Sequence, residues 1–126
     1  MRIVTTLMAV AVVMGSAGPA MAQAIDGKKL FTSRCGVCHW DPGKPGEQAR
    51  MGPSLTGVVG RKAATQAKFT RYSKAMKAFG KSWTEAALVA YLENPRKTVP
   101  GTNMAFAGLK KPEERTAVVA YIKKPP

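Results

Sequence analysis

Residues 33–40 read SRCGVCHW and contain both cysteines and the one histidine of the 126-residue chain. No other stretch restricts so tightly what the chain can fold into. On a helical turn Cys35, Cys38 and His39 stand at i, i+3 and i+4, so two thiols and an imidazole project from one side. A structural zinc ion asks for four Cys or His ligands, and here two thiols and one adjacent imidazole are all there is. A thioredoxin-like redox pair calls for a βαβ surrounding that the sequence lacks. A plain i, i+3 disulfide is geometrically open and explains nothing else in the chain. Two thioethers to the vinyl groups of a haem, with the neighbouring imidazole on its iron, require this order and spacing, the C-x-x-C-H pattern of covalent haem attachment.

The rest of the chain asks for such a filler. A first helical segment runs from about Asp26, a good N-cap, to Cys38. Between Trp40 and Thr70 stand Pro42, Gly43, Pro45, Gly46, Gly52, Pro53, Gly57 and Gly60, a density that forbids long regular structure. YSKAMKAFG can form a short helix. In SWTEAALVAYLENP, Ser82 and Glu85 form a capping box, Leu88, Tyr91 and Leu92 share a stripe, and Pro95 stops the helix. RKTVPGTNMAFAGLK reads as loop. A last helix starts at Pro112, has Glu113 and Glu114 in its first turn and Lys123 and Lys124 in its last, and carries a stripe of Val118, Tyr121 and Ile122. No period-two alternation occurs, so the class is all-α. Three modest helices with nine aromatic residues do not enclose an ordinary core. A large flat apolar cofactor gives the loops a surface to wrap.

The N-terminus reads as a cleaved signal peptide: Arg2, an apolar run from Leu7 to Met14, a break at Gly15, Gly18 and Pro19, and the small-x-small site Ala20-Met21-Ala22. The expectation is a leader over 1–22, one domain over 23–126, and export to a bacterial periplasm. The full chain carries a net +13, and loss of Arg2 leaves +12. The basic residues are scattered, without the run or aromatic interleaving of a nucleic-acid reader, so an acidic protein patch is the expected partner, with at most peripheral membrane contact.

A haem iron has a second face, and no second histidine exists. Met51, Met76 and Met104 are the sulfur candidates. Met104, in the Pro100- and Gly101-pinned loop VPGTNMAFAG, is best set to return to the far side.

These motifs taken together, CGVCH, MGPSLTGVVGRK, SWTEAALVAYLENPRKTVPGTNMAFAGLKK and EERTAVVAYIKK, with Gly27 and Phe31 before them, resemble the class I c-type cytochromes, in particular the soluble mitochondrial-like bacterial branch. The resemblance implies three main helices and long loops around one covalently attached haem c, with a close crossing of first and last helices at Gly27, Phe31 and Tyr121. It implies thioethers at Cys35 and Cys38, His39 and Met104 as iron ligands, and the Pro53 carbonyl orienting His39. Arg61, Trp83 and Tyr72 match propionate-holding residues, and Tyr91 and Thr102 match polar groups beside the methionine sulfur and the propionate. The implied role is a monomeric one-electron carrier, not an enzyme. Its donor would be of the kind of a quinol:cytochrome c oxidoreductase or a periplasmic dehydrogenase, its acceptor a terminal oxidase or a reaction centre. A displaceable Met104 would instead imply gas binding or peroxidase-like chemistry. Two departures stand out. WDPGKPGEQARM after His39 is longer than in the mitochondrial type, and Met76 stands where an asparagine would donate to the network near Tyr91, which predicts a weakened network.

Overall fold

A computed structural model describes Gly18 and residues 23–126. The expected leader therefore lies, Gly18 apart, outside the described residues. Asp26 opens the first helix as its sequence predicts: the carboxylate accepts a hydrogen bond from the Lys29 amide at 3.0 Å, and α1 spans Gly27–Arg34. It ends sooner than expected, because the Cys35 and Gly36 amides both turn onto the Phe31 carbonyl (2.8 and 2.9 Å). The cysteine motif occupies its own turn, in which the Cys38 and His39 amides donate to the Cys35 carbonyl at 3.0 and 2.9 Å.

Ser73 caps α2, Lys74–Phe79, accepting from the Met76 amide at 3.0 Å. α3 spans Glu85–Glu93 and buries Leu88, Tyr91 and Leu92, the expected stripe. Its cap is Thr84 and not Ser82: the Thr84 hydroxyl accepts from the Ala87 amide at 3.0 Å. Ser82 is used elsewhere. It forms an isolated antiparallel bridge with Lys62, and the flanking Trp83 amide and carbonyl pair with the Arg61 carbonyl and Gly60 amide at 2.9 and 2.7 Å. Helical hydrogen bonding cannot begin until that pairing ends. The stop after α3 is likewise one residue earlier than Pro95. Asn94 is extended (φ −158°, ψ 93°), and Pro95 opens the short helix α4, Pro95–Thr98, within the stretch expected to be loop.

α5, Pro112–Lys123, starts on its proline and buries Val118, Val119, Tyr121 and Ile122. It packs on both α1 and α3. The crossing with α1 depends on Gly27, since a Cβ there would collide with the Ala117 carbonyl and lie 3.1 Å from the Tyr121 Cβ. The fully buried Phe31 ring then meets Tyr121 at 5.6 Å between centroids. Buried aliphatic side chains such as Val118 and Leu88 each contribute about 1.5–3 kcal/mol. Arg115 completes the inner face of α5 as a buried cation. Its Nη1 donates to the Leu109 and Lys110 carbonyls at 2.7 and 3.0 Å, tying the 107–111 loop to the helix. Among the described residues no helix is long and apolar enough to cross a membrane.

Candidate haem site

The helices and loops surround one cavity of about 440 Å³, and all ten expected site residues line it. On one side stands His39, 8 % exposed. Its Nδ1 lies 2.7 Å from the Pro53 carbonyl. A carbonyl only accepts, so Nδ1 carries the proton and Nε2 keeps a free lone pair. Burial pushes the His39 pKa below its ordinary value, against the opposing pull of that carbonyl, and keeps the ring in the neutral form that binds metal. Cys35 is buried and Cys38 half-buried, both as free thiols. Desolvation pushes the Cys35 thiol up to about 11, with Arg34 pulling the other way.

The ring of His39 is wedged against Gly52. A Cβ on residue 52 would stand 2.5 Å from Cε1 and 2.8 Å from Nδ1. The Gly52 amide also donates to the Cys38 carbonyl at 2.8 Å, so the loop and the cysteine turn are joined beside the imidazole. Sequence reasoning passed over this glycine, although it stands in the quoted MGPSL motif. Its adjacency to Pro53 is the feature that could have exposed it.

Arg61 and Trp83 come together because the 60–63 and 81–83 backbones pair. The Arg61 guanidinium donates to the carbonyls of Thr56 (2.9 Å) and Ser54 (3.0 Å). Desolvation lowers its pKa from a value so high that the cation persists. The Tyr72 hydroxyl accepts from the Gln66 amide at 3.2 Å, and burial raises its pKa. It keeps its own proton to donate. Trp83 packs between Phe79 and Tyr91, with centroids 5.2 and 4.9 Å away.

Elsewhere on the cavity wall the Tyr91 hydroxyl and Thr102 Oγ1 are 3.1 Å apart, and the same oxygen accepts from the Met104 amide at 3.2 Å. Met104 is half-buried against the core. Met76 lines the cavity too and adds no hydrogen-bond donor there, so the polar chain on this side is Tyr91, Thr102 and the Met104 amide. The apolar remainder of the wall includes Leu55, Val58, Leu88, Leu92 and Phe106. Of these, sequence reasoning placed only Leu88 and Leu92, as helix core.

Two thiols, a neutral imidazole with Nε2 free, a thioether and an apolar slot kept open by a glycine form a donor set that fits a covalently held haem. An all-α shell folded around one such group is the class this fold and site define.

Known proteins agree. The Cytochrome c family model matches residues 24–125. Cytochrome c of Chlamydomonas reinhardtii is 46% identical over 97 residues, covering 77% of this chain and 84% of that protein. Cytochrome c of Trypanosoma brucei brucei is 56% identical over 72 residues, which is 57% of this chain and 76% of that one. Among solved structures, cytochrome cH from Methylobacterium extorquens superposes with a TM-score of 0.71 at 38% identity, covering 81% of this chain and 98% of that one. This chain belongs to the cytochrome c family. It binds one haem c through Cys35 and Cys38 and transfers electrons between redox proteins; it is not an enzyme.

Proposed function

We propose that the chain is an exported, periplasmic carrier whose haem iron is held by His39 and Met104. The observation that carries this reading is the state of His39: its Nδ1 proton is committed to the Pro53 carbonyl, which leaves Nε2 with a free lone pair in a cavity that Met104 also lines. Bound there, the group supplies a one-electron couple between ferrous and ferric iron. The chain's own residues do the rest. Pro53 fixes the imidazole plane and raises its basicity. The thioether favours the reduced form, and burial of the site does likewise. Thr102 anchors the Met104 backbone and Tyr91 anchors Thr102, so the distal sulfur is presented by a tethered loop. Arg61, Tyr72 and Trp83 form the polar corner suited to the propionates, with cation and phenol both able to donate.

The leader over 1–22 supports export, and the +12 charge of residues 23–126 favours docking on an acidic redox partner as a monomer. Donors of the quinol:cytochrome c oxidoreductase or dehydrogenase kind and acceptors of the oxidase or reaction-centre kind carry suitable chemistry. Electron transfer to such a partner slows as ionic strength rises.

Carbon monoxide tests the distal assignment. The reduced native protein is expected not to bind it, whereas Met104→Ala binds it readily. Rapid binding by the native protein would sink the carrier reading and favour gas binding or peroxidase-like chemistry.

A further inference from the structure

The loop after His39 runs from Trp40 to Met51, and the structure shows what its far end does. Arg50 reaches back across the cysteine turn. Its Nη1 donates to the Gly36 carbonyl at 2.8 Å, in the middle of Cys35–Cys38. Its guanidinium carbon lies 5.3 Å from the centre of the Trp40 ring, the residue directly after His39. Trp40 is itself fixed, its indole N–H donating to the Gly46 carbonyl at 3.0 Å. The Arg50 main chain is held as firmly: its amide donates to the Gly52 carbonyl at 3.0 Å, and its carbonyl accepts from Arg71 Nη2 at 2.5 Å. Just beyond come Gly52, which walls the imidazole, and Pro53, whose carbonyl accepts the hydrogen bond from its Nδ1.

We propose that Arg50 is a positioning residue for His39: it closes the 40–51 loop onto the cysteine turn and so holds the Gly52-Pro53 segment in register with the imidazole. A planar guanidinium suits both tasks, donating in its plane while its face lies on an indole. An ammonium does the first without the second. Without the clamp, the backbone between His39 and Gly52 regains freedom, and the Pro53 carbonyl leaves the Nδ1 proton part of the time. Arg71, which also lines the cavity, locks the clamp from behind.

This inference rests on His39 as iron ligand, and the two can fail separately. If His39 is not a ligand, the ferrous spectrum of the native protein is that of an iron lacking strong-field imidazole, whatever stands at position 50. The clamp is read on the haem-loaded, reduced protein by nuclear magnetic resonance, as the rate at which the His39 Nδ1 proton exchanges with water. The amide of Leu88, buried in α3, reports global opening in the same sample. Arg50→Ala is expected to speed Nδ1 exchange about tenfold with little change at Leu88, and Arg50→Lys to fall between it and the native protein. Equal rates in Arg50→Ala and native protein would overturn the proposal, as would an acceleration matched at Leu88, which would make Arg50 a general stabiliser. Should Arg50→Ala not yield folded protein, Arg71→Ala tests the same clamp from its other side: a smaller selective acceleration supports it, and none refutes it.

Discussion

The two sides of the cavity are held in different ways. On the His39 side nearly every tie is to backbone: the cysteine turn closes on the Cys35 carbonyl, Gly52 bonds Cys38, and Pro53 accepts from the imidazole at 2.7 Å. On the Met104 side the ties are side-chain hydroxyls, Tyr91 to Thr102 and Thr102 to the Met104 amide, at 3.1 and 3.2 Å. A backbone tie survives most substitutions and fails where a Cβ cannot fit. A hydroxyl tie can be removed with one atom. The His39 side is therefore rigid and intolerant of added volume, and the Met104 side is the softer of the two.

The largest effect should follow from filling the rigid side. Gly52→Ala forces a methyl into the His39 ring and is expected to cost about 3 kcal/mol or more, seen in denaturant unfolding and in a poor yield of haem-loaded protein. Native-like stability would mean that the loop gives way and that the wall is soft. On the other side, Thr102→Val keeps the shape and removes both hydroxyl contacts. A loss of about 1–2 kcal/mol is expected, together with measurable carbon monoxide binding to reduced protein. Loss of stability without that binding would mean Met104 is held by something other than Thr102.

The long loop beneath His39 carries a pH-dependent tie. The Tyr121 hydroxyl donates to Asp41 at 2.5 Å, and burial together with that carboxylate pushes its pKa up to about 12. An unfolded tyrosine ionises near 10. The folded state thus holds the proton more tightly, and the associated stability is complete below about pH 10 and fades as pH rises through about 12. Tyr121→Phe should flatten that limb of the pH–stability profile; an unchanged limb would place its origin elsewhere. The smallest effect is expected at Ala64, which lies on the cavity wall with φ 60°. Ala64→Gly relieves the left-handed strain and should gain about 0.5–1 kcal/mol, net of glycine's greater freedom when unfolded.

What the sequence disclosed follows the same division. CGVCH is local, and its chemistry is readable because the spacing itself is the constraint, whereas the part of Pro53 in GPSL came only with the family resemblance. The α1–α5 crossing was legible only through the family resemblance, which implied it at Gly27, Phe31 and Tyr121; no local pattern pairs the two helices. The cap of α3 was not legible: Ser82 and Glu85 satisfy a local rule, and the rule loses to the pairing of Ser82 with Lys62 and of Trp83 with Arg61, far away in sequence. The path of residues 40–51 was illegible too, because it is set by contacts such as Asp41 with Tyr121 and Glu47 with Gln66, which no local pattern announces. Arg115 is buried against expectation for a charged residue: loop carbonyls take its Nη1 and Glu93 lies 3.7 Å from its Nη2, while Nε is buried without a partner.

His39 and Met104 are proposed to share one iron. The most direct test is the near-red optical spectrum of the oxidised, haem-loaded native chain at neutral pH. A weak sulfur-to-iron charge-transfer band is expected there, lost in Met104→Ala and retained in Met76→Ala and Met51→Ala. Absence of the band from the native protein, or its persistence in Met104→Ala, would contradict that ligation.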